Sequence, residues 1–184
     1  MIDNYDSFTF NLVQYLGILG EIIKVRRNNK ITISEIEEMS PEKIVISPGP
    51  GRPEDAGISE EIILKFYKKI PILGVCLGHQ CIGEVFGADI INSGVVFHGK
   101  TSFIYHDGKT IFNKIENPFE AARYHSLIID RKTVPDDLEI SAENKEGIIM
   151  ALRHKKYPVE GIQFHPESFL TPSGLKILHN FIAA

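Results

Sequence analysis

The sequence predicts an α/β fold: three layers around a mostly parallel central sheet, with a small antiparallel β insertion. Two observations carry this. Short β-rich runs alternate with helical periods through the first two thirds of the chain, the pattern of a parallel sheet covered on both faces. The later part changes to short β-like pieces separated by His-Gly and Asp-Gly turns, which is the pattern of antiparallel pairing.

Asp3-Asn4-Tyr5-Asp6-Ser7 ends a very short first strand and leads into a helix, with Asp6 and Ser7 as candidate caps. Phe8, Leu12, Tyr15, Leu16 and Leu19 then fall on one helical face. A β-like run covers 22–26, and a second covers 43–47 (KIVIS). Ile58, Ile62, Leu64, Phe66 and Tyr67 have helical spacing that ends before Pro71, and a third run, 72–75, feeds a helix over 77–86. Shorter β-like pieces follow at 95–97, 101–105 and 110–112, with Asp107-Gly108 as a hairpin signal. Runs at 138–142, 148–152 and 159–164 precede a last helix after Thr171-Pro172-Ser173, carrying Leu175, Leu178 and Phe181.

Gly and Pro are spread evenly, and no linker, repeat or low-complexity stretch divides the 184 residues, so one domain over 1–184 is expected. A chain of this length can bury a core without disulfides or metals. Twenty Lys and Arg against 24 Asp and Glu give a net charge of −4, which offers no electrostatic footprint for nucleic acid. The longest apolar runs fall short of the ~20 residues a membrane helix needs, and no signal-peptide pattern opens the chain. The two cysteines, Cys76 and Cys81, fit a reducing compartment better than a disulfide scaffold. No spacing resembles a metal site. The expected location is the cytoplasm, with no membrane and no nucleic acid as partner.

The chemistry concentrates in a few segments. Gly74-Val75-Cys76-Leu77-Gly78 runs from an apolar strand through a Gly-x-Cys-x-Gly turn into a helix, the nucleophile-elbow pattern with Cys in place of Ser. Both glycines would flank a given Cys by chance about 0.5% of the time, taking Gly near 7% of residues. The turn puts the sulfur at a helix N-terminus, where the dipole favours thiolate, and frees the N–H of Leu77 to hold an oxyanion. The alternative is a buried core cysteine. In Gln163-Phe164-His165-Pro166-Glu167, an apolar strand ends on a histidine with a carboxylate two positions on. Positions i and i+2 of an extended segment point the same way, so Glu167 can orient His165 toward the sulfur in a nucleophile–base–orienter triad.

Ser47-Pro48-Gly49-Pro50-Gly51-Arg52-Pro53 is either a rigid surface turn or, at a strand's carboxyl end, a binding loop in which Gly49 supplies a second oxyanion donor. Gln80 lies one helical turn after Cys76 and can face the same cavity. Arg123-Tyr124-His125-Ser126-Leu127 is polar and aromatic, with a structural turn as the plain alternative. His79 and Cys81 fit helix packing better than catalysis.

Taken together, GVCLGHQ, SPGPGRPEDAG, RYHSL and GIQFHPES resemble the class I (triad) glutamine amidotransferases along essentially the whole chain. Asp3-Asn4-Tyr5-Asp6-Ser7-Phe8-Thr9 and His98-Gly99-Lys100 point to the branch of small subunits of anthranilate synthase and aminodeoxychorismate synthase. The resemblance implies a flavodoxin-like core, a Cys76–His165–Glu167 triad, an oxyanion hole from the N–H groups of Gly49 and Leu77, and glutamine contacts at Gly49, Pro50, Gly51, Gln80, Ser126 and Leu127. It implies L-glutamine as substrate and a larger chorismate-binding synthase subunit in a hetero-oligomer. The product would be anthranilate for tryptophan biosynthesis or 4-amino-4-deoxychorismate for folate biosynthesis. No cofactor is implied in this chain; the synthase partners of such families use magnesium. The family usually carries one or two more apolar residues before Ile2-Asp3, so a short first strand is expected, and a fused synthase domain is not expected after the last helix. The competing readings are a stand-alone γ-glutamyl hydrolase and a non-catalytic activating subunit.

Overall fold

Strands and helices alternate through the first half of the chain: β1 (Ile2–Asp3), α1 (Thr9–Ile18), β2 (Arg26–Arg27), α2 (Ile33–Met39), β3 (Ile44–Ile46), α3 (Ser59–Phe66), β4 (Ile72–Val75) and α4 (Leu77–Val85). The second half is mostly strand: β5 (Ile90–Asn92), β6 (Lys100–His106), β7 (Phe119–Arg123), β8 (Leu127–Ile129), β9 (Leu138–Asn144), β10 (Ile149–His154) and β11 (Val159–Ile162), closed by α5 (Gly174–Ala183). This computed structural model describes residues 1–94 and 99–184. The run expected at 95–97, and His98, lie outside the described residues.

One sheet has the order β2-β1-β3-β4-β11-β10-β9-β6-β7. Its first five strands are parallel and its last four antiparallel, so the antiparallel segment continues the central sheet rather than standing apart from it. The order of the parallel part is that of a flavodoxin-like core. A separate antiparallel pair joins β5 to β8. Strand alternation sets the layers: Val45 and Leu73 face α1 and α5, where they pack with Leu12, Leu16, Leu178 and Phe181. Ile44, Ile46 and Ile72 face α3 and α4, where they pack with Ile62, Ile63, Phe66 and Ile82.

Some elements differ from the sequence reading, each for a local reason. The run at 22–26 yields only Arg26–Arg27, because β1 offers Ile2 and Asp3 as its only pairing partners. Helix α2 was not expected. It is short and mostly exposed, and its start rests on a capping box in which Thr32 and Glu35 bond reciprocally. The piece at 110–112 is a 3-10 turn that buries Ile111 and Phe112, held to α5 where Asn180 donates 2.9 Å bonds to the carbonyls of Ile111 and Asn113. Asp107-Gly108 leads into that turn, and β6 pairs instead with β7 and β9. Helix α1 starts with Phe8 as its N-cap; Asp6 accepts from the Phe8 N–H, and no side chain caps the helix.

The carboxyl ends of β1, β3, β4 and β11 gather at one edge, where open α/β sheets bind ligands. Asn4 ties three of the segments there: its N–H and Nδ2 donate to Ser47, and its Oδ1 accepts from Asn28 and Ser59. A cavity of about 500 Å³ opens at the amino ends instead, lined by Met1, Ile23, Met39 and Val45 among others, and neither Cys76 nor His165 lines it.

Candidate active site

Cys76 sits between β4 and α4 with φ 52° and ψ −98°, a conformation an L-residue holds only when its surroundings force it. Its flanking glycines are required by contact. A Cβ on Gly74 would lie 2.3 Å from the Gly78 carbonyl oxygen, and one on Gly78 would lie 2.5 Å from that of Ile46. The Cys76 N–H donates to the Ile162 carbonyl at 2.8 Å, extending the β4–β11 ladder to the elbow. The first N–H groups of α4, starting with Leu77, have no acceptor within the helix.

His165 lies three residues beyond β11. Its N–H donates to the Ala122 carbonyl at 3.0 Å, while the Thr171 hydroxyl donates to the His165 carbonyl at 2.7 Å and accepts from the Ala122 N–H. The antiparallel strand β7 thus pins the backbone of a residue supplied by the parallel core. Glu167 Oε1 lies 2.6 Å from His165 Nδ1. The edges or faces of Phe8 and Tyr124 meet the imidazole at ring-centroid distances of 5.6 and 5.0 Å.

Burial alone would lower the proton affinity of His165. The charge of Cys76, its approach to the imidazole and the Glu167 carboxylate outweigh that, and hold His165 well above the ordinary histidine range. Among the described residues Nε2 has no hydrogen bond of full geometry, while Cys76 acts on it through both charge and close approach; full alignment is left to the reacting complex.

The loop after β3 packs on the elbow. A Cβ on Gly49 would meet Asn4 Cβ at 2.6 Å and Leu77 Cδ2 at 2.7 Å, so this backbone approaches the start of α4 as only glycine permits. Gly51, at φ +81°, turns the chain beside Asp55, and Pro50 between them is exposed. Gln80 is buried, and its Nε2 donates to the Leu127 carbonyl at 3.2 Å and to Gln163 Oε1 at 3.1 Å. The Ser126 carbonyl accepts from the Ser93 N–H. The structure therefore joins Cys76, His165 and Glu167, stacks Gly49 on Leu77, and links Gln80 to Leu127; Pro50, Gly51 and Ser126 are their chain neighbours.

His79 and Cys81 lie in the core behind the elbow. Burial pushes the His79 imidazole down to about 3 and the Cys81 thiol upward. Two residues given no role from sequence also lie at the site: Gln163, whose Nε2 reaches Cys76 Sγ at 3.5 Å, and Phe8, which packs with Tyr124 of the candidate segment 123–127 beside His165. Gln163 had one legible signal, its position two residues before His165 on the same extended segment. Among the described residues, no group of three or more His, Cys, Asp or Glu could hold a metal ion, and no helix is long and apolar enough to cross a membrane.

An α/β sheet with a cysteine elbow and a buried His–Glu pair at the strands' carboxyl ends is the arrangement expected of an amidotransferase. The chain belongs to the glutamine amidotransferase class-I family, which it matches over residues 1–184. It is 59% identical over 182 residues to the aminodeoxychorismate/anthranilate synthase component 2 of Bacillus subtilis (strain 168), covering 99% of this chain and 94% of that one. It is 57% identical over 183 residues to the anthranilate synthase component 2 of Cyanophora paradoxa, covering 99% and 96%. Among solved structures, a protein from Thermoplasma acidophilum described as a candidate GMP synthase component superposes with a TM-score of 0.88 at 26% identity, covering 99% of this chain and 90% of that one.

Proposed function

We propose that residues 1–184 act as a single glutaminase domain that releases ammonia from L-glutamine for a larger, chorismate-using synthase subunit. The observation that carries this reading is the strained Cys76 elbow facing a His165 whose Nδ1 is held by Glu167. Cys76 sulfur attacks the side-chain amide carbon, and the N–H groups of Leu77 and Gly49 hold the oxyanion. His165 carries the thiol proton to the departing nitrogen as the C–N bond breaks, leaving a γ-glutamyl thioester and ammonia. Water, deprotonated by His165, then cleaves the thioester to glutamate and restores the thiol. Gln80, Ser126, Leu127 and the 49–51 turn bind the rest of the glutamine.

Ammonia is mostly protonated in neutral water, so its use as a nucleophile favours a shielded passage to a docked partner. Phe10 and Phe169 are 60% and 85% exposed. Each lies two residues from a component of the site, Phe8 or Glu167, and exposed aromatic surface of this kind suits a partner. The relatives named as component 2 of anthranilate and aminodeoxychorismate synthases support a chorismate-using partner, which would bring its own magnesium. The double name of the Bacillus subtilis relative supports one small chain serving both products.

The test is reconstitution with each candidate synthase subunit, chorismate, and either glutamine or ammonium salt. Cys76→Ala is expected to abolish product formation from glutamine and spare that from ammonia. Undiminished use of glutamine by Cys76→Ala would overturn the proposal.

A further inference from the structure

A continuous hydrogen-bonded chain of buried groups runs from Arg123 to the nucleophile. Arg123 Nε donates to His125 Nε2 at 3.0 Å, and His125 Nδ1 meets the Leu127 carbonyl at 2.9 Å. That carbonyl also accepts from Gln80 Nε2 at 3.2 Å; Gln80 Nε2 donates to Gln163 Oε1 at 3.1 Å; and Gln163 Nε2 donates to Cys76 Sγ at 3.5 Å. Arg123, His125, Gln80, Gln163 and Cys76 each expose 7% or less of their surface, so water does not compete along the path.

The polarity of this chain is forced at both ends. A guanidinium only donates, so His125 must accept at Nε2 and carry its proton on Nδ1. A backbone carbonyl only accepts, so the Leu127 oxygen accepts the hydrogen bond from His125 Nδ1–H and requires Gln80 to present its NH₂. Gln163 must then turn its oxygen to Gln80, which leaves its own NH₂ facing the sulfur. A thiolate accepts hydrogen bonds, and a donor held against it favours the charged form. Had the amide been free to flip, its oxygen could have faced the sulfur and favoured the neutral thiol instead.

We propose that Gln163 is a further catalytic residue, whose amide N–H stabilises negative charge as it forms on the Cys76 sulfur, and that Gln80, the Leu127 carbonyl and the His125–Arg123 pair are positioning groups that lock the direction of that amide. The same contact serves two steps of the proposed glutaminase reaction, on which this inference rests: it readies the attacking sulfur and steadies it again as the leaving group of the thioester. The titratable groups facing the sulfur are His165 and, behind it, Glu167. His125 lies beyond the Leu127 carbonyl and stays neutral, because burial and the Arg123 charge push it down to about 3.

The experiment is the pH–rate profile for iodoacetamide modification of Cys76, with the labelled cysteine located by mass spectrometry and the Tm taken on the same samples. Gln163→Met removes the donor at similar volume and is expected to move the profile midpoint up by about one pH unit, a tenfold slower reaction below the midpoint. Gln80→Met leaves Gln163 in place but unlocks its amide, and is expected to move the midpoint the same way by less. A profile unmoved in folded Gln163→Met overturns the proposal. If that variant does not fold, an unmoved profile in Gln80→Met does so. Iodoacetamide needs no glutamine, so the absence of glutaminase activity would sink the reaction assigned above without touching this readout.

Discussion

Glu167 Oε1 lies 2.6 Å from Nδ1 of His165, and each residue exposes 2% of its surface. The bond fixes the ring so that Nε2 is the nitrogen left for Cys76. Glu167→Gln keeps the shape and removes the charge that helps hold His165 protonated. The expected result is a glutaminase kcat lowered roughly 10²–10⁴-fold, the range of general acid–base contributions. The imidazolium is lost as pH rises through the His165 value, which Glu167 helps to raise. The basic limb of the pH–rate profile should therefore move to lower pH in Glu167→Gln, and an unmoved limb would show that Glu167 does not tune His165.

The elbow makes a prediction with two signs. Gly78→Ala puts a methyl 2.5 Å from the Ile46 carbonyl oxygen, which is backbone of the central sheet and cannot swing aside. Overpacking of this kind costs about 1–3 kcal/mol or more. Gly17→Ala, on α1, meets nothing within 4 Å and needs no positive φ. There the gain in helix propensity is about 0.5–1 kcal/mol. Urea unfolding of the two variants should shift in opposite directions.

The same elbow shows what the sequence could reveal. Gly-x-Cys-x-Gly is local chemistry on a local turn, so residues 74–78 were legible, as was the i, i+2 pairing of His165 with Glu167. The pinning of His165 by Ala122 and Thr171 joins residues that are distant in sequence or hidden within a turn, and no periodicity encodes it. The polarity of Gln163 is decided by a backbone carbonyl at Leu127, to which the identity of the side chain is irrelevant. Strand content failed where pairing failed: 22–25 has strand-like composition, but on this side β1 pairs only with Arg26 and Arg27, and Lys24 is reached by the Met1 amine rather than by a strand.

Arg153 is buried where β10 meets β11, and bonds Asp107 at 2.9 Å, Glu139 at 2.7 Å and Glu160 at 3.0 Å. Arg153→Met leaves three carboxylates without their cation, with the Glu160 side chain only 8% exposed. Removing one partner of a buried pair costs about 3–5 kcal/mol. Glu139→Gln, at a side chain 35% exposed, should cost far less. Equal losses in denaturant unfolding would mean that the cluster contributes as a surface network.

Acid should unfold the protein through two histidines that the fold keeps neutral. Burial pushes His79 down to about 3, and burial with the Arg123 charge does the same to His125, against 6.5 in an exposed chain. Above pH 6.5 neither state binds the proton, and these groups do not change stability. Between 6.5 and 3 the unfolded chain takes a proton at each site and the folded chain refuses it, so stability falls with pH. At pH 5 each site costs about 2 kcal/mol. Glu160 opposes this: burial raises it to about 7 from 4.5, so the folded state holds the extra proton between those values. From these three groups alone the uptake on unfolding is thus near one proton between 6.5 and 4.5, and near two below 4.5, so their share of the acid loss should steepen there. His79→Leu tests the account: among the described residues no hydrogen bond of full geometry to its ring would be broken, although the Gly161 backbone lies against it. Its unfolding free energy should depend on pH by one proton less below 6.5, with the acid midpoint moved to lower pH. A slope equal to that of the unaltered protein would mean that His79 takes up its proton while still folded.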